Sequence, residues 1–273
     1  MHYGITLPNV YNFAEPHLLA DLAHTAEEAG WDGVFLWDTL HYLADGQPVA
    51  EAWISLTAMA MRTRRVKLGT MVTAPTRRRP QKLAREAVTL DHVSNGRFIL
   101  GVGIGDIEDK GFTHFGEVLD AKQRAGMLDE SLEIIQGLWS GEPFSYSGKY
   151  YQVDEIQFLP TPLQKPRIPI WVAGTWPNKG PMKRAARWDG VHVFSSPEGI
   201  APVKRFMDEH HTAGAPFDIV VSVPLFEAAR NAQARAALRE AEQGGATWLL
   251  EFVMPNQDVD AVYAALRQGP PSL

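Results

Sequence analysis

Hydrophobic positions along the chain alternate between two periods. Short apolar runs predict strands at Tyr3–Leu7, Gly33–Trp37, Val66–Val72, Arg97–Val102, Ile168–Ala173, Gly190–Phe194, Ile219–Val223 and Thr247–Val253. Between them apolar residues recur at helical spacing. Leu18, Leu19, Leu22, Ala26 and Ala29 form the first such stripe, closed by Gly30. Trp53–Met61 forms the second, Leu83, Ala87 and Leu90 the third, and Met127, Leu128, Leu132, Ile135 and Leu138 the fourth. The Ala- and Arg-rich PMKRAARW, Val203–His211, Ala232–Ala241 and Val259–Leu266 complete the series. Gly141–Pro169 breaks the rhythm with Gly, Ser, Pro and aromatic residues, which predicts a short hairpin insertion before the fifth strand.

Repeated strand–helix units with strands apolar on both faces predict the α/β class and a (β/α)8 TIM barrel, with residues 1–273 as one domain. An open doubly wound sheet would carry a glycine fingerprint after the first strand, and ITLPNVYN has none. In such barrels the chemistry sits where the strands end. That rule selects Asn9, Asp38, Thr39, Thr70 to Thr73, Gly103, Gly105, Asp106, Gly174 to Asn178, Ser195, Ser196, Pro224 and Glu251.

Composition narrows the chemistry further. A net charge of −6 argues against nucleic acid or an anionic membrane as the main partner. The absence of cysteine excludes thiol catalysis and disulfides, and no His–carboxylate spacing points to a metal. No apolar run approaches the roughly 20 residues of a membrane span. The opening MHYGITLPNVYNF has neither a basic region nor a long apolar one, so a cytoplasmic location is expected.

LGTMVTAPTRRRPQKLAREAVTLDHVSNGRFILGVGIGD, PTPLQKPRIPIWVAGT with RAARWDGV, and WDGVFLWDTL stand in order along the chain. Together they resemble the luciferase-like flavin-dependent oxidoreductases over nearly its whole length. The resemblance implies a flavin-type cofactor at the strand ends, above a non-proline cis peptide at Met71–Val72. It also implies Thr70, Met71, Val72, Gly174, Thr175, Trp176, Asn178, Phe194 and Ser195 as cofactor-binding residues. The AGTWPN loop would hold a phosphate, and Trp37, Trp176 and Phe194 would wall the pocket. Asp38, His41, Asp106 and Glu251 are the candidate catalytic residues, with Glu251 expected to face the barrel mouth.

Two positions depart from the family. Ile104 stands where relatives close to luciferase have an Arg for the FMN phosphate, and Thr39 where many members have a His; His41 lies two residues on. The run Arg77–Arg79 is a candidate site for an anionic group. The activity expected first is a monooxygenase using reduced FMN and oxygen on a small organic substrate, with a flavin reductase as a candidate partner. A hydride-transfer oxidoreductase using a deazaflavin coenzyme is the alternative, and a non-catalytic flavin-binding protein the second. A homodimer is expected from the apolar second and third helices, through Trp53, Leu56, Met59, Met61, Leu83, Ala87 and Leu90.

Overall fold

In the computed structural model, which describes residues 1–211 and 216–271, parallel strands close into a barrel with the helices outside it. The strands are β1 (His2–Leu7), β2 (Gly33–Leu36), β3 (Lys67–Thr70), β4 (Phe98–Val102), β5 (Phe144–Ser147), β6 (Gln152–Ile156), β7 (Ile170–Thr175), β8 (Gly190–Phe194), β9 (Asp218–Ser222) and β10 (Trp248–Phe252). Around the barrel the order is β1, β2, β3, β4, β7, β8, β9, β10, and β10 pairs back onto β1 with Ile5 opposite Glu251. Strands β5 and β6 form a separate antiparallel hairpin, the insertion expected from Gly141–Pro169.

The helices are α1 (Pro16–Glu28), α2 (Ala52–Arg62), α3 (Pro80–Val93), α4 (Lys110–Thr113), α5 (Ala121–Trp139), α6 (Lys179–Ala185), α7 (Ile200–His210), α8 (Ala232–Gln243) and α9 (Val259–Leu266). Side chains at the N-caps fix many of the starts: Glu15 on α1, Glu51 on α2, Asp109 on α4, Asp120 on α5, Asn231 on α8 and Asp258 on α9 each accept from amides of the first turn. The single turn of α4 was not foreseen, because four residues carry no readable period. No helix among the described residues is long and apolar enough to cross a membrane.

Alternation along the strands separates two apolar layers. Ile5, Leu36, Leu68, Leu100, Val172, Val191, Val221 and Leu249 point outward to the helices. Phe35, Met71, Ile99, Trp171, Val220, Trp248 and Leu250 fill the interior. The rings of Phe35, Trp171 and Trp248 meet one another at centroid distances of 5.2 to 5.8 Å. Three large rings fit only because inward positions beside them are glycine. A Cβ on Gly33 would lie 2.9 Å from both Phe35 and Trp248, and one on Gly190 would lie 2.5 Å from Trp171. The glycines are thus the other half of an interdigitated core.

Two buried polar residues tie down the opposite end of the barrel. Glu27 accepts from the amides of Arg64, Arg65 and Val66, which fixes the turn into β3. Arg97 donates to Ser94 O, Thr63 Oγ1, Val66 O, Ala60 O and Thr63 O, all within 3.1 Å. The hairpin is held to α5 by Glu130, whose carboxylate accepts from the amides of Lys149, Tyr150 and Tyr151.

The apolar surplus of α2 is mostly internal. Trp53, Leu56 and Met59 are buried within the chain, as are Leu83, Ala87 and Leu90 on α3. Only Ile54 and Met61 of α2 remain 67 % exposed. The patch expected for a dimer is therefore narrower than the sequence suggests, because α2 packs against α1 and α3 as well as the sheet.

Replacing Arg97 by Met should lower stability by about 3 kcal/mol, since five acceptors lose a charged donor at once. Chemical denaturation measures this; a midpoint unchanged from the wild type would show the cluster to be energetically idle.

Candidate active site

The strand ends of β2, β3, β4, β7, β8 and β10 surround one cavity of about 980 Å³. Its floor is Met71, Val72 and Ala173, and the Met71–Val72 peptide bond is cis. Gly103 lies against the floor, where a Cβ would come 3.0 Å from Val72 Cγ2. Size and lining match a site for a ring system with a polar appendage: an apolar bed, few polar groups, and backbone close at hand.

Buried charge organises one side of the mouth. Asp38 has a side chain only 2 % exposed, and its oxygens accept from Arg78 Nη2 at 2.9 Å, Arg78 Nε at 3.1 Å, and the Thr73 hydroxyl. Arg77 donates to the Asp38 carbonyl and, at 2.6 Å, to Asp109. Asp109 in turn accepts from the amides of Leu40, His41 and Gly111. Asn9, fully buried, adds bonds to Thr39 and Ala50 from the other flank. The loop after β2, which carries His41, is thereby fastened at several points.

This geometry sorts the sequence candidates. Asp38 lines the cavity, but its oxygens are committed to structural donors. Arg77 and Arg78, expected as an anion site, are instead spent on Asp38, Asp109, Glu51 and Glu86. His41 lines the cavity; its Nε2 meets Asp45 at 2.8 Å and its Nδ1 has no partner. Lys110 holds the same Asp45 oxygen at 2.5 Å, and these two bonds draw the Asp45 carboxyl below its ordinary range. Asp106 is exposed at the cavity edge and accepts from the amide of Glu108.

Glu251 does not reach the mouth. It shares the outward parity of Leu249, while Phe252 beside it points into the cavity. The carboxylate accepts from Phe226 N at 2.8 Å, and burial pushes its pKa up to about 7. The apolar character of WLLEFV was read correctly; the face was not, because one residue of register separates the two layers.

The remaining cofactor candidates divide the same way. Thr70 is buried, its hydroxyl bonded to Gly101 O at 2.7 Å and turned from the cavity. Gly174, Thr175, Asn178 and Phe194 line it. A Cβ on Gly174 would lie 2.6 Å from Pro181 and 2.7 Å from Met182, so this glycine admits α6 rather than a ligand. Asn178 begins α6 without a side-chain cap bond, leaving its amide for another partner. Trp176 turns instead onto Phe206 and Lys179, and Ser195 lies under Gly199, both outside the lining.

Two residues went unnoticed in the sequence. Arg124, buried on α5, donates to Ile104 O and Gly105 O and so shapes the loop after β4. His192 stands on the inward parity of GVHVF, its ring 4.6 Å from that of Phe194. Complete burial pushes its pKa down to about 4, so it is neutral at ordinary pH. The strand alternation pointed to His192; nothing local pointed to Arg124. Away from the cavity, His24, Glu27 and Glu28 bring ligand atoms together on α1, but Glu27 is already taken by backbone amides.

Comparison with known proteins decides the family. The model for luciferase-like monooxygenases matches residues 2–269. The chain belongs to that family. Among curated relatives, the F420-dependent glucose-6-phosphate dehydrogenase of Microbacterium testaceum is 38 % identical over 164 residues, 59 % of this chain and 48 % of the relative. That of Amycolatopsis mediterranei is 34 % identical over 191 residues, covering 68 % and 55 %. The chain thus spans about half the length of the curated relatives it matches. Among solved structures, an F420-dependent secondary alcohol dehydrogenase in complex with an F420-acetone adduct superposes with a TM-score of 0.81 at 18 % identity, covering 98 % of this chain and 97 % of that one. A monooxygenase from Streptomyces bottropensis gives 0.81 at 21 %, with coverage of 98 % and 97 %. At these identities the superpositions establish the barrel alone.

The sequence relatives overturn the expectation of FMN and oxygen, and with it the reason to expect a flavin reductase. Ile104 offers no cation here, and the cavity-lining Arg77 and Arg184 are already paired with Asp38, Asp109 and Asp129, which leaves Lys122 as the cation of the lining in no ion pair among the described residues.

The elevated pKa of Glu251 gives a signed prediction. Between about 4.5 and 7 the folded state holds more protons than the unfolded one, so this residue makes stability fall as pH rises through that window. Glu251→Gln should remove that slope, changing the pH 5 to pH 8 stability difference by roughly 3 kcal/mol. Parallel denaturation curves for the two proteins at both pH values would refute it.

Proposed function

We propose that this protein is an F420-dependent oxidoreductase that interconverts an alcohol and its carbonyl compound. The observation that carries the reading is the joining of an apolar-floored cavity to sequence relatives named as F420-dependent dehydrogenases. When bound, the deazaflavin supplies a hydride acceptor or donor at its ring. Met71, Val72 and Ala173 give that ring its bed. Thr175 and Asn178, with the exposed Lys122, would meet its polar appendage.

His41 is the residue proposed to move the substrate proton. A carbinol that loses hydride must also lose its hydroxyl proton, so a base must sit within hydrogen-bond reach of that oxygen. Asp45 holds Nε2, and Nδ1 is without a partner but buried, so receiving the proton requires the ring to turn Nδ1 toward the cavity. Asp109 positions the ring by fixing the His41 amide. Asp38 does not take part in proton transfer, because every donor around it is structural. Association of two copies through Ile54 and Met61 is also proposed, and light scattering at low micromolar concentration tests it; a mass of one chain refutes it.

Oxidised F420 should bind with micromolar or tighter affinity, and FMN markedly more weakly; fluorescence titration of both decides. Thr175→Ala should weaken F420 binding by roughly 1 kcal/mol through one lost hydrogen bond. His41→Ala should leave that affinity unchanged while turnover falls by about 100-fold or more. If turnover survives His41→Ala, the proton passes elsewhere. If neither coenzyme binds, the reading fails.

A further inference from the structure

The cavity wall is divided in composition, and the division follows the barrel. On the arc from β3 through β4 to β7 it carries Asp106, Glu108, Lys122, Thr175, Asn178 and Arg184. On the arc from β8 through β10 to β2 it is built mainly from Trp37, Tyr42, Leu43, Phe194, Phe252 and Met254, with Asp38, Thr39 and His41 of the loop after β2 beside them. Three of its aromatic members touch: Trp37 lies 5.0 Å from Phe252 and 5.8 Å from Tyr42. Leu43 is 61 %, Phe194 49 % and Met254 43 % exposed toward the mouth. Exposed apolar side chains grouped at the rim of a site suit an apolar ligand.

From this we infer that the arc of Trp37, Tyr42, Leu43, Phe194, Phe252 and Met254 is a substrate subsite for an uncharged, largely apolar alcohol or ketone, and not for a sugar phosphate. The inference rests on the proposed function and names its substrate class. His41 precedes Tyr42 and Leu43 in the chain, so the proposed proton acceptor stands at the edge of the same arc.

Charge argues for the same choice. A phosphomonoester brings a dianion, and burying it beside apolar groups is costly unless cations and hydrogen bonds meet it. Among the described residues no Lys or Arg lines the aromatic arc. The cations held against the loop after β2 are Arg77, locked between Asp38 and Asp109, and Lys110, paired with Asp45. Lys122 does line the cavity, but on α5, with the polar arc. The cations of this site therefore serve one end of it, and the aromatic end has none.

The test compares 1-phenylethanol with glucose 6-phosphate as probes, by saturation-transfer NMR and calorimetry, with and without saturating oxidised F420. F420 affinity is measured separately by fluorescence. We expect 1-phenylethanol to bind at least about tenfold more tightly than glucose 6-phosphate. Leu43→Asp should weaken that binding by about threefold or more, since it places a charge on the arc. Leu43 has φ of 52°, a conformation that Asp accepts readily, so this variant should fold and keep its F420 affinity. Phe252→Ala serves as the second variant and should act in the same direction.

Tighter binding of glucose 6-phosphate, failure of 1-phenylethanol to bind in either state, or indifference of its binding to both substitutions would overturn the subsite. Failure of F420 to bind, with 1-phenylethanol still bound and still sensitive to Leu43→Asp, would sink the proposed coenzyme while upholding the subsite.

Discussion

The buried pairing of Asp38 with Arg77 and Arg78 is the constraint on which the mouth of this barrel depends. It joins the end of β2 to the segment after β3, and Arg77 carries the connection on to Asp109 after β4. Removing one partner would leave an uncompensated charge in a site with almost no access to water, a far larger penalty than the pair's net worth. The loop bearing His41 hangs from this cluster through the Leu40 and His41 amides. A charge network that looks catalytic in the sequence is thus the frame on which the chemistry is mounted.

How much of this was legible follows from the kind of signal each residue leaves. Strands and outer helices announce themselves by period, and the barrel follows from their alternation. The cis bond at Met71–Val72 and the lining role of Thr175 and Asn178 were reachable through motif resemblance. Glu251 shows the limit: identity and setting were clear, yet its face depended on a single residue of register. Trp176 and Ser195 show another limit, because a loop motif gives no direction to a side chain. Arg77 and Arg78 were misread since a run of cations says nothing of its partners, here Asp38, Glu51 and Asp109, 27 to 40 residues away in the chain, and Glu86 nearby.

The same reasoning explains why the cofactor was first misjudged. Family resemblance rests on the strands, glycines and turns that make the cavity, and these serve any flavin-like ring. What separates one coenzyme from another lies in a few cations and their availability. Ile104 was noticed, but the neutralisation of Arg77 and Arg184 became visible only in three dimensions.

Charge balance beneath the cavity completes the picture. His192 and Ser222 lie inside the barrel, with His192 Nε2 3.4 Å from the Ser222 hydroxyl. Burial keeps His192 uncharged, so it contributes a dipole and no net charge to the interior. Asp38, at the rim, is cancelled by two guanidinium groups. Charges that remain effective toward a ligand are those on the β4 to β7 side, where Lys122 and Asp106 are exposed. Under the proposed function, a neutral bed, one polar flank and one aromatic flank would order what binds: a ring over the bed, its polar appendage toward Lys122, and an apolar reactant opposite. The direction of approach is set by where the fold left charge uncompensated, and that is a property of side-chain pairing rather than of the barrel itself.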